Sequence, residues 1–232
     1  GIYQKGVAFI PSQANMFSYI GNFSSLRNYI GSNCITALCK TTDKSRLIVG
    51  TDNDGIYLLD KNYNFLQHLS QDENPDVPPT VMCLFEDSNK KVWIGSYLSG
   101  ISLFDSQTNK LSKISLQNNE GNEIKKVYSF VEDPHKRLWI GTMGTGLYYA
   151  DLPGSSDSYQ HIKVHQVLSE KTINQWINTL LYIPDGRLYV GTYDGIKCID
   201  TQNLKVTGNE KALIGLSINT IAQGPDNHIW VG

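Results

Sequence analysis

Short apolar runs alternate along the chain with clusters of Gly, Asn, Asp, Ser and Pro, and the runs recur in a fixed order. One phrase of alternating apolar residues ending in glycine occurs five times: RLIVGT (46–51), KVWIGS (91–96), RLWIGT (137–142), RLYVGT (187–192) and HIWVG (228–232). Its glycines fall at 50, 95, 141, 191 and 232, at intervals of 45, 46, 50 and 41 residues. A second phrase opens on Gly and closes on Asp: GIYLLD (55–60), GISLFD (100–105), GLYYAD (146–151) and GIKCID (195–200). The opening residues GIYQKG have the same form, with Gly6 at the Asp position. A third element starts at Ile35, Val81, Val127, Ile177 and Ile218, which stand 15, 14, 14, 14 and 14 residues before their glycines. Each copy of it carries a small side chain (Ala37, Cys83, Ser129, Thr179, Thr220) followed by a large apolar one (Leu38, Leu84, Phe130, Leu180, Ile221).

Turn formers separate these elements, as in EDSNK (86–90), EDPHK (132–136) and PDG (184–186). A fourth apolar run follows at FLQHL (65–69), KLSKISL (110–116) and QHIKV (160–164). No segment of ten or more residues carries a 3.6-residue apolar stripe, so very little helix is expected. Four short antiparallel strands in a repeat of about 45 residues define an all-β chain built of β-propeller blades. In the second strand Leu138 and Ile140 face one way and Trp139 the other, so both faces are apolar, as a sheet packed between two neighbours requires. The small first-strand residue fits strands crowded around an axis. Trp93, Trp139 and Trp230, with Tyr189 and Ile48 at the same position, read as inter-blade packing.

Residues 1–232 therefore read as one propeller segment: third and fourth strands of a blade at 1–34, blades starting near 35, 81, 127 and 177, and two strands of a further blade at 218–232. The two halves could close a five-bladed ring. A piece of a larger ring, of seven blades, is the favoured expectation because the last phrase stops at Gly232.

Composition removes several classes of function. Hydrophobic residues at 40% and charged ones at 18% describe a globular chain. With 20 Lys and Arg against 22 Asp and Glu the net charge is -2, which gives no electrostatic footprint for nucleic acid or anionic lipid. No apolar stretch is long enough for a membrane helix, and no signal peptide is evident. Cys34, Cys39, Cys83 and Cys198 form no CxxC pair and read as small core fillers. Cys34 and Cys39, on one extended strand, lie on the order of 16 Å apart and cannot bridge.

The pattern apolar-x-small-apolar…ED-x-x-K-x-LWIGT-x-x-x-GL-x-x-x-D, seen in full as VYSFVEDPHKRLWIGTMGTGLYYAD (127–151), resembles the two-component regulator propeller repeat. The departures (Ile48 and Tyr189 for Trp, an early Gly195, Gly6 for Asp) fall on packing and turn positions. The resemblance implies the periplasmic sensor region of an inner-membrane hybrid two-component histidine kinase. The implied ligand is a glycan-derived oligosaccharide. The implied partners are the rest of the sensor ectodomain and the kinase in the same polypeptide, which would work as a homodimer.

Two rival readings stay open: a propeller glycosidase and a protein-interaction scaffold. A glycosidase needs placed carboxylates, and the first strands offer Glu86 and Glu132, both beside a turn. Neither cofactor nor metal is expected. GTMGTG (141–146) is the recurring turn rather than a phosphate loop, DNDG (52–55) lacks the downstream Glu of a calcium loop, and His161 and His165 would be roughly 13 Å apart on a strand. A ligand is expected at the end that carries the turns after each second strand and the connections between blades. There Tyr97, Trp176 and Tyr193 are candidate stacking surfaces, with Asp52, Asp54 and Asp194 as hydroxyl acceptors.

Overall fold

The computed structural model describes residues 7–9, 18–23, 29–31, 34–118, 120–154, 159, 162–168, 176–209 and 213–232. The GIYQKG phrase, His161, Asn174 and Gln175 lie outside the described residues. Two compact units are present, Gly1–Lys113 and Ile114–Gly232.

In the first unit β1 (Val7–Phe9) pairs with β2 (Ser18–Ile20). Next comes a sheet of β3 (Ile35–Lys40), β4 (Arg46–Thr51), β5 (Ile56–Asp60) and β6 (Phe65–Leu69), in that spatial order. A second sheet contains β7 (Val81–Glu86), β8 (Lys91–Ser96), β9 (Ile101–Asp105) and β10 (Lys110–Ile114). The second unit repeats the arrangement with β11 (Val127–Glu132), β12 (Arg137–Thr142), β13 (Leu147–Asp151) and β14 (Val164–Leu168). Its next sheet is β15 (Ile177–Ile183), β16 (Arg187–Thr192), β17 (Gly195–Asp200) and β18 (Lys205–Asn209), followed by the pair β19 (Ile221–Gln223) and β20 (Ile229–Val231). All four complete sheets are antiparallel and run in sequence order, the blades expected from the repeat.

One strand lies later than the sequence pattern suggests. Of the QHIKV run (160–164), Gln160 and His161 lie outside the described residues and Ile162 and Lys163 precede the fourth strand; β14 starts at Val164, because pairing Val164 with Ala150 and Leu147 with Leu168 buries Val164 and Leu168 against the sheet.

The register explains the repeat. In each of the four complete sheets the first strand carries a bulge after its opening residue, so Ile35 and Ala37 face the consecutive residues Thr51 and Gly50. The same offset sets Cys83 against Gly95, Ser129 against Gly141 and Thr179 against Gly191. A small residue thus always opposes the phrase's glycine. The glycine is a socket for the next sheet: a Cβ on Gly50 would stand 2.5 Å from Val81 Cγ1, and one on Gly141 2.6 Å from Ile177 Cγ2. Val81, Ile177 and, at Gly191, Ile218, the β-branched residues that open the following first strand, are the knobs that fill these sockets.

Gly141→Ala is therefore expected to cost roughly 1–3 kcal/mol in chemical denaturation, the range for overpacking a filled core. Gly208→Ala, with nothing within 4 Å of the new methyl, is the control expected near zero. Equal effects of the two would contradict the socket.

The second strands β4, β8 and β12 are buried on both faces, with Leu138, Trp139 and Ile140 all at 0% exposure. Trp139 packs with Ile177, Leu180, Leu188 and Val190 of the following sheet, and Ile48 does the same with Val81, Val92 and Ile94 in the first unit. Trp230, at the same position on β20, is 65% exposed.

The paired acids of the ED phrase have separate tasks. Glu86 reaches the neighbouring hairpin, where its Oε2 accepts from the Thr42 amide at 2.5 Å and also from the Thr42 hydroxyl. Asp87 and Asp133 turn inward. Through Oδ1 each accepts two amides of its own hairpin, Asn89 and Lys91 or His135 and Arg137. Through Oδ2 each accepts the indole N–H of Trp93 or Trp139, at 2.9 Å in both. Arg137 Nε also donates to Asp133 Oδ2 at 2.7 Å, while its Nη2, equally close, is ion-paired but outside hydrogen-bonding geometry.

Lys91 pairs across the sheet with Asp105 at 2.6 Å. Partial burial pushes the Asp105 carboxyl up, but the Lys91 ammonium and the amides of Gln107 and Thr108 outweigh it and hold the group down at about 2. A depressed carboxyl contributes stability above its unfolded value near 3.9 and loses it as pH falls through the folded value. Stability is therefore expected to decline from about pH 4 to about pH 2, with a shallower decline in Asp105→Asn. An unchanged slope in acid titrations of that variant would remove Asp105 from the account.

Candidate functional site

The turn after each second strand is built the same way four times. The buried hydroxyl of Thr51, Ser96, Thr142 or Thr192 donates to the carbonyl of Gly55, Gly100, Gly146 or Gly195, at 2.7, 2.9, 2.6 and 2.9 Å. The next residue donates its amide to the residue just before its own sheet's first strand: Asp52 to Cys34, Tyr97 to Thr80, Met143 to Lys126 and Tyr193 to Trp176. Each blade thus presents two juxtaposed side chains at this end, held by backbone bonds that leave their identity unconstrained.

In the first unit these positions carry Asp52 and Tyr97. Thr80 joins them, since its carbonyl accepts the Tyr97 amide and its hydroxyl donates to Asp52 Oδ1 at 3.2 Å. Tyr97 is 38% exposed. Asp54 is committed to its own turn: Tyr57 donates to its Oδ2 at 2.6 Å, and His68 Nε2 lies 2.8 Å from its carbonyl and 3.3 Å from Oδ1. Burial and the Asp54 carboxylate push the Tyr57 hydroxyl well above its ordinary value. His68 stacks on Tyr57 at 4.1 Å between ring centroids. A pocket of about 260 Å³ opens beside this cluster, lined by Asn53, Asp54, Ser70, Gln71, Asp72 and Pro79.

In the second unit Trp176 and Tyr193 meet edge to face, with ring centroids 5.3 Å apart and planes at 72°. Asp194 Oδ1 accepts the Gly215 amide at 3.0 Å, and the Gly195 amide donates to the Leu216 carbonyl at 2.8 Å. These bonds bring segment 213–216 against the turn and leave Ile214 and Leu216 exposed beside it. Of the six residues read from the sequence, the structure joins Trp176, Tyr193 and Asp194 in one unit and ties Asp52 to Tyr97 through Thr80 in the other. Asp54 faces its own Tyr–His pair.

Sequence reading missed His68, Ile214 and Leu216. Only the register placing His68 opposite Tyr57, as His165 stands opposite Tyr149, marks the histidine. His165 stacks on Tyr149 and pairs with Asp151 at 3.2 Å. Among the described residues no group of three or more His, Cys, Asp or Glu has metal-holding geometry. None of the four cysteines forms a disulfide; burial pushes the Cys39 thiol up to about 11.

Up-and-down four-stranded blades of this kind make a β-propeller, and comparison with known proteins agrees. The sequence model of the family described as "Two component regulator propeller" matches residues 77–98 and 124–144. The fold is shared with the extracellular domain of the hybrid two component system BT4673 from B. thetaiotaomicron, at 22% identity and TM-score 0.71, over 85% of this chain and 28% of that one. The corresponding domain of BT3049 from the same organism matches at 17% identity and TM-score 0.66, over 85% and 27%. PorZ, a surface component of the type-IX secretion system of Porphyromonas gingivalis, matches at 15% identity and TM-score 0.73, over 100% and 35%. The chain spans about a third or less of these structures. No curated protein matches it.

Proposed function

We propose that this chain is a ligand-sensing part of the extracytoplasmic region of a hybrid two-component system. It binds a glycan-derived oligosaccharide without turning it over, and the signal passes to a membrane-linked histidine kinase in the same, homodimeric polypeptide. The observation that carries this reading is the regulator propeller match at 77–98 and 124–144. The fold shared with two extracellular domains of such systems supports it. Trp176, Tyr193 and Tyr97 offer ring faces to sugar C–H faces, with Asp52, Asp54 and Asp194 as acceptors for hydroxyls. A non-catalytic role agrees with Glu86, whose carboxylate is held on the Thr42 hairpin.

The test is to titrate the intact sensor ectodomain with a panel of oligosaccharides by calorimetry and to follow the sugars by chromatography. Binding without turnover, weakened at least tenfold by Tyr193→Ala or Trp176→Ala, is the expected result. Turnover would favour a glycosidase. Binding indifferent to Trp176, Tyr193 and Tyr97 together would move the site elsewhere.

A further inference from the structure

The Trp176–Tyr193 corner has surroundings unlike those of a site made only for hydroxyl-rich sugar. Beside it stand two exposed aliphatic side chains, Ile214 at 59% and Leu216 at 53%, with Tyr193 itself at 59%. Their position is held by the Asp194–Gly215 bond and the Gly195–Leu216 bond, which fasten segment 213–216 to the turn that carries Tyr193. Gly195 is required there: its φ is +98°, and a Cβ would stand 2.7 Å from the Leu213 carbonyl oxygen.

Aromatic faces suit the C–H face of a pyranose, whereas isoleucine and leucine offer nothing to a hydroxyl and gain only by covering apolar surface. The T-shaped geometry adds a constraint. Two rings at 72° cannot both lie against one flat ribbon of sugars, so they form a corner around a single residue. Asp194 is the carboxylate on that turn.

Resting on the sensor reading above, we infer that this corner takes a sugar residue bearing a methyl group, as in a 6-deoxyhexose or an N-acetylhexosamine. The ring faces cover the pyranose, the methyl lies toward Ile214 and Leu216, and Asp194 accepts from a hydroxyl.

The experiment compares matched oligosaccharides on the intact sensor ectodomain by calorimetry. One pair differs only in CH3 against CH2OH at carbon 6 of the terminal residue, and the other only in an acetamido group against hydroxyl at carbon 2. The methyl-bearing member of one pair is expected to bind at least about fourfold tighter, the factor that corresponds to about 0.8 kcal/mol for one buried methylene-sized group. Ile214→Ser with Leu216→Ser is expected to erase that preference while leaving binding of the hydroxylated partner within twofold. Tyr193→Ala is expected to weaken both members. Equal affinities within both pairs, or a preference that survives the double serine variant, overturn the methyl inference and leave oligosaccharide sensing standing. Failure of every sugar to bind overturns both. Because all the altered side chains are on the surface, a thermal melt matching the unaltered protein separates lost recognition from lost folding.

Discussion

Truncating Trp139 to alanine is expected to lower the unfolding free energy by roughly 3–5 kcal/mol, the range for deleting a buried aromatic. Trp139 is wholly buried between two sheets of the second unit, its ring lies 5.4 Å from Tyr149, and its indole N–H is bonded to Asp133. The alanine variant loses apolar contact with both sheets and leaves Asp133 without one of its donors. Tyr193→Ala, which removes an exposed ring that meets Trp176 edge to face, is expected to cost less than about 1 kcal/mol. Chemical denaturation of the two variants measures the contrast, and comparable losses would contradict the division between core and loop end.

Asp133→Ala is expected to cost a similar amount, roughly 3–5 kcal/mol, because it strips the partner from an interior charge. The carboxylate, 3% exposed, holds the Arg137 guanidinium, the Trp139 indole and two hairpin amides together. Arg137 would be left packed over Trp139 and Tyr149, its Cζ 5.3 and 5.4 Å from their rings, without its counter-charge. The chain contains its own control. In the first complete sheet Thr41 occupies the Asp position and Ile48 the Trp position; Thr41 Oγ1 accepts the Arg46 amide, and isoleucine has no N–H to satisfy. Asp133→Thr with Trp139→Ile is therefore expected to cost less than the sum of the two single changes. Additivity within about 0.5 kcal/mol in that double-mutant cycle would deny the coupling.

The Asp–indole link shows which parts of the architecture were open to sequence reading. Strand order, the hairpins and the two-faced burial of β12 follow from local periodicity, and the repeat multiplies each weak local signal. Asp87 and Asp133 are legible as turn formers because an Asx turn is a local event. Their second bond, to an indole six residues on, leaves only a covariation: Thr41 with Ile48, Ile183 with Tyr189, Gly224 beside the exposed Trp230. The small first-strand residue was legible in position but not in full cause, since its glycine partner depends on a bulge with no residue signature. At the loop end the candidates' partners lie far along the chain. Asp194 is bonded to Gly215, 21 residues away, and Asp54 sits beside His68, 14 residues away. No short-range pattern announces such pairings.

The glycine socket and its β-branched knob belong to different repeats: Gly50 receives Val81, Gly141 receives Ile177, and Gly191 receives Ile218. A genetic duplication of one whole repeat therefore brings a matching acceptor and insert with it, and the new blade can join the array without any new interface being invented. Gain or loss of whole repeats is cheap in mutational terms, while an insertion that shifts the interval inside a repeat strands an acceptor without its insert. Copy number can drift along such a lineage while the spacing from the opening Val or Ile to the glycine stays nearly constant, at 14 or 15 residues in every copy of this chain.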